Sequence, residues 1–168
     1  MRFRKIRFNG AAMELVYIEN RPGPKGDDRT TTLTSETLPL PDFTAALQAF
    51  GPLVVSLLGL PKGWENELKV VSVGITQGQD DRQRVTVHAT HDVKGTNSPW
   101  NIHTPLLRQP LEDAEEGGVG FYDEEWEQAL EDLVTEAVRY INGSRQQTDL
   151  FDGAEQPEGE LAGAGAES

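Results

Sequence analysis

The chain has 168 residues, no cysteine and a formal net charge of −13. That length suits one domain with a tail, and the missing thiol excludes a disulfide framework, a thiolate zinc site and a cysteine nucleophile. The acid is concentrated: residues 1–108 hold 13 Lys and Arg against 11 Asp and Glu, while residues 109–168 hold 2 against 17. A basic footprint across the whole domain, usual in duplex-DNA binders, is thereby excluded. No apolar run approaches the roughly 20 residues of a membrane-spanning helix. The start, Met1 to Phe8, is basic and lacks the apolar stretch of a signal peptide. The expectation is a soluble cytoplasmic protein.

Residues 3–8 mix polar and apolar side chains and read as a short strand. Asn9-Gly10 is a turn dipeptide, after which Met13, Leu15 and Tyr17 alternate with Glu14 and Glu19, so a hairpin is expected. RPGPKGDDR (21–29) reads as a loop and Thr30–Thr34 as a third strand. Asp42 is expected to cap a helix carrying Phe43, Ala46, Leu47, Phe50, Val54, Leu57 and Leu58 at helical spacing. Gly51-Pro52 should split or kink it. LKVVSVGI (68–75) and RVTVHATH (84–91) are the clearest strands, and residues 94–105 read as an irregular polar segment around Trp100. The acidic, glycine-rich stretch 112–120 reads as a flexible excursion. Asp123 is expected to cap an amphipathic helix whose buried stripe is Trp126, Leu130, Leu133, Val134, Ala137 and Ile141, ended by Asn142-Gly143. Beyond residue 143 the periodicity stops, and a disordered tail is expected over 144–168.

These elements add up to an α+β domain over residues 1–143: an antiparallel sheet of about five strands with two main helices on one face. Nothing in the sequence indicates catalysis or a cofactor. His88 and His91, three apart on a strand, point to opposite faces and cannot share a metal, while His103 lies within reach of either. The glycines of 21–29 lack the order of a phosphate loop. Arg4, Lys5, Arg7, Arg82 and Arg84, with Trp100 for stacking, are candidates for holding single-stranded DNA on the sheet.

The sharpest signal is Gln147-Thr148-Asp149-Leu150-Phe151. It matches the pentapeptide with which replication and repair proteins dock on the bacterial sliding clamp: Gln, any residue, Ser or Asp, Leu, then Phe or Leu. Two adjacent large apolar side chains outside any periodic element, with an amide side chain for orientation, are suited to a partner's pocket.

The segments LPLPDFTAALQAFGPLV, ELKVVSVGIT, TNSPWNIHTP and ALEDLVTEAVRYINGSRQQTDLF resemble a family of small uncharacterised bacteriophage proteins of the early or replication region. That family shares an NSP…N…TP segment and a closing helix followed by a clamp-like Asp-Leu-Phe ending. The resemblance covers roughly residues 1–151. This chain departs from it by continuing 17 residues past Phe151. The resemblance implies a phage protein acting in the host cytoplasm and assigns no activity. The resulting expectation is a non-enzymatic accessory protein that docks on the host sliding clamp through Gln147, Asp149, Leu150 and Phe151, recruiting its domain to replication or displacing host partners. Two alternatives stand beside it: a single-stranded DNA-binding protein with an acidic tail, and an acidic DNA mimic that inhibits a host nuclease.

Overall fold

Asn9 turns the chain with its own side chain. Its Oδ1 accepts the backbone N–H groups of Ala11 (3.0 Å) and Ala12 (2.8 Å), while Gly10 takes a φ of 92° that a Cβ would oppose. On either side of this turn β1 (Arg2–Phe8) and β2 (Met13–Glu19) pair antiparallel, and β3 (Arg29–Ser35) continues the meander. The computed structural model describes residues 1–20, 28–111 and 119–146. Both the expected loop over 21–27 and the expected acidic excursion over 112–118 lie outside the described residues.

The apolar run from Phe43 to Leu58 forms two helices, α1 (Pro41–Gln48) and α2 (Phe50–Leu58). They part at Ala49 because Pro52 has no N–H to offer the Gln48 carbonyl. Asp42 is not the N-cap. Leu40 is, held extended (φ −66°, ψ 157°) by the following proline, and Pro41 takes the first helical position. Gly59 ends α2 in the left-handed conformation (φ 61°), and the N–H of Leu60 reaches back to the Val55 carbonyl at 3.0 Å. With Ala49 between them, α1 and α2 make 18 residues of mean hydropathy 1.2, long and apolar enough by composition to cross a membrane, which corrects the expectation that no run approaches that size. Phe43, Leu47, Phe50 and Val54 are buried in the domain core, and that accounts for the composition.

A short 3-10 turn over Trp64–Asn66 leads into β4 (Lys69–Gln77), β5 (Gln83–His91), β6 (Trp100–His103) and the two-residue β7 (Leu107–Arg108). The sheet order is β3-β2-β1-β4-β5-β6, with β7 also on β5, and these strands pair antiparallel. Two meanders are thus joined through β1 and β4. Among the described residues the sheet has seven strands, slightly more than the expected five or so. The segment 94–105, read as irregular, contains β6, whose four residues are too few to show a period.

One helix closes the fold, α3 (Glu124–Ile141), and Asp123 caps it by accepting the Trp126 N–H at 3.2 Å. Trp126, Ala129, Leu130, Leu133, Ala137 and Tyr140 form its buried stripe. Val134 and Ile141 are only partly buried, because Tyr140 takes the inner position, its hydroxyl donating to the Thr37 carbonyl at 2.6 Å. All three helices share a single core with Phe3, Ile6, Val73, Val85 and Val87 of the sheet. The fold is α+β with the helices on one face, as the periodicity implies.

Candidate functional site

The sheet face opposite the helices carries the chain's concentration of basic side chains, and a backbone irregularity puts them there. In a regular strand Phe3 and Ile6, three apart, would face opposite ways. Both are buried, at 4% and 0% exposed. The pairing shifts register between Phe3↔Tyr17 and Lys5↔Val16, so Arg4 and Lys5 together oppose one residue of β2. This β-bulge turns two consecutive cations outward and returns Ile6 to the core. Arg7 follows on the same outer side, opposite Glu14.

A second register shift falls between Val70 and Ser72 on β4. After it, Arg7, Ser72, His88 and His103 line up across β1, β4, β5 and β6, and Lys5, Gly74 and Thr86 form the neighbouring row. Three small side chains in mid-sheet, between longer ones on either side, leave a trough of about 340 Å³. Its lining contains Arg4, Lys5, Arg7, His88 and His103, and among the described residues no carboxylate.

Glu14 stands at the rim. It accepts from Lys5 Nζ at 3.0 and 3.1 Å, and lies 3.9 Å from Arg7 Nη1, so one carboxylate serves two cations. Arg4 is exposed and has no carboxylate partner among the described residues. On the far wall the His88 and His103 rings stack in parallel, with centroids 4.2 Å apart and planes 9° apart. Asn101 Oδ1 lies 3.1 Å from His88 Nε2 and orients that ring.

The other residues singled out in the sequence are elsewhere. Arg82 and Arg84 are drawn to the β4–β5 turn by Asp80, at 2.9 and 3.8 Å. Desolvation there works to raise the Asp80 carboxyl. The backbone N–H groups of Asp80 and Arg82 and the two guanidinium groups outweigh it, and hold the carboxyl below its usual range. Neither arginine lines the trough. Trp100 is 58% exposed but pairs with His91, on the helix side of the sheet edge. There Trp64 stacks on His91 at 3.9 Å and lies 6.2 Å from Trp100, while His91 Nε2 meets Glu67 Oε2 at 2.7 Å. The six-residue nucleic-acid set therefore does not line one trough: Arg4, Lys5 and Arg7 belong together, Arg84 lies on the same open face one row beyond Thr86 but outside the trough lining, and Arg82 and Trp100 do not join them. His88 and His91 do face opposite ways, and His103 joins His88.

Gln147, Asp149, Leu150 and Phe151 lie outside the described residues. The residues that lead to them are bonded to the domain. Arg145 bridges to Pro39, donates Nε to the Tyr140 carbonyl at 2.9 Å and sits 4.4 Å over the Tyr140 ring. The Gln146 N–H donates to the Leu38 carbonyl at 2.9 Å.

Comparison of the chain with protein-family models, with curated proteins and with solved structures finds no match.

Proposed function

We propose that this is a non-enzymatic accessory protein of phage DNA replication, acting in the cytoplasm of a bacterial host by docking on its DNA sliding clamp. Gln147, Asp149, Leu150 and Phe151 make the contact, and the domain is either recruited to replicating DNA or set in the way of host clamp partners. The observation that carries this reading is the QTDLF sequence starting at the residue after Gln146, where the backbone is still bonded to the domain through Leu38. A motif anchored so closely holds the domain against its partner with no free linker between them.

Burying Leu150 and Phe151 contributes about 1.5–3 kcal/mol each, and the cost of ordering the segment offsets much of it. Micromolar affinity, about −8 kcal/mol, is the expected result. Titration of purified clamp into the full chain measures it directly. The double variant Leu150→Ala/Phe151→Ala is expected to lose binding while keeping the wild-type melting temperature. Undiminished binding would overturn the proposal. So would a large fall in melting temperature, which would assign the pair to the domain's own core.

A further inference from the structure

We infer that the trough on the open sheet face binds the phosphate groups of single-stranded nucleic acid. The site stands on observations independent of the clamp motif. First is charge. On a chain of net −13, the trough gathers Arg4, Lys5 and Arg7 without a carboxylate among the described residues of its lining, and Glu14 beside Lys5 and Arg7 neutralises at most one of them. An uncompensated cationic surface on so acidic a molecule selects an anion.

Second is shape. Arg4 to Arg7 lie along one strand and span about 10 Å at the usual rise per residue, so the cations form a line rather than a point. The floor between the walls is Ser72, Gly74 and Thr86. Gly74 makes room for the Thr86 hydroxyl, which lies 2.8 Å from where a Cβ would stand, and the two hydroxyls donate hydrogen bonds to phosphate oxygens. The trough opens onto the sheet surface, which suits a backbone that follows β1 with its bases reaching across the strands. Third is the opposite wall. The parallel His88 and His103 rings present flat aromatic surface, on which a base stacks while its phosphate meets the cations. Cations on one side and stacking rings on the other are the two components of sequence-tolerant single-strand binding.

The test is fluorescence anisotropy of a labelled oligothymidylate with the full chain at low ionic strength, repeated across a salt series. Binding is expected, with Arg4→Gln reducing the slope of log K against log salt by about 1. Arg4 is exposed, so its melting temperature should match wild type. His103→Ala is expected to weaken binding roughly tenfold through lost stacking. Trp100→Ala and Arg82→Gln, which lie off the trough, should bind as wild type does. Leu150→Ala/Phe151→Ala should also bind the oligonucleotide normally, so a failure of the clamp proposal leaves this one standing.

Absence of oligonucleotide binding by the full chain overturns the inference, as does wild-type affinity in both Arg4→Gln and His103→Ala. Thymidine monophosphate or inorganic phosphate binding as tightly as the oligonucleotide would make this a small-molecule phosphate site instead. A duplex of equal length binding equally well would remove the single-strand assignment.

Discussion

Arg4 and Lys5 share a face because Ile6 cannot give up its place in the core. Removing a buried isoleucine from water gains about 1.5–3 kcal/mol, more than a bulge forfeits in ladder geometry, so the backbone yields. Tyr122 illustrates the converse, a polar group held by burial. It is 3% exposed, with its hydroxyl donating to Gln83 Oε1 at 3.2 Å. Desolvation, and secondarily the Glu127 carboxylate, raise its phenol from 10.0 to about 12. Between those two values the unfolded chain releases this proton first. The stability the neutral phenol contributes is therefore complete below pH 10 and is lost as pH rises through about 12. Tyr122→Phe should lose stability less steeply than wild type over that window in urea titrations. Identical slopes would show that Tyr122 ionises as readily in the fold as outside it.

Among the elements, the junction of α1 with β4 carries the most information. β1 pairs with β4 only as far as Ser72, so the β4 backbone at Val70 has no β1 partner on that side. Gln48, the last residue of α1, supplies one. Its Nε2 donates to the Val70 carbonyl at 3.0 Å and its Oε1 accepts the Val70 N–H at 2.9 Å. One side-chain amide thus imitates a strand neighbour and fixes α1 against the sheet. Gln48→Ala leaves both backbone groups without that partner and should cost about 1–3 kcal/mol. A chemical-denaturation midpoint unchanged from wild type would show that water replaces the amide without loss. Within α2, Gly51 lets the Glu65 carbonyl approach to 3.2 Å from where a Cβ would stand.

For the molecule as a whole, one core means one unfolding event. Phe50 of α2 meets Trp126 of α3 with ring centroids 5.8 Å apart, and both belong to the cluster that includes the inner residues of β1, β4 and β5. Phe50→Ala should cost about 3–5 kcal/mol, a large share of the stability of a domain this size. Far-UV circular dichroism and tryptophan fluorescence should report the same lowered midpoint. Separate midpoints would mean that the helices detach from the sheet before it melts. Charge is partitioned at this scale as well. Residues 109–168 carry 17 of the 28 acids, while β1 alone presents Arg4, Lys5 and Arg7 to the open face.

The alternation in β2 and β5, the helical spacing from Phe43 to Leu58 and from Trp126 to Ala137, the Asn9-Gly10 turn and the Asp123 cap were legible in the sequence. Each is a local rule acting within a few residues, and together they determined the α+β class and the side of the sheet that the helices cover. The docking motif is also purely sequential. Tertiary structure decided the rest. The strands β6 and β7 exist because β5 offers an edge to pair with, not because their own residues show a period. The bulge at Arg4 and Lys5 was visible only as an awkward three-residue spacing between Phe3 and Ile6. The trough needs four strands in one register, and its histidines, 15 positions apart, meet through pairing that no local pattern encodes. Trp100 shows the limit most plainly: an exposed aromatic is readable as such in a polar segment, but which face of the sheet it takes depends on its pairing with His91.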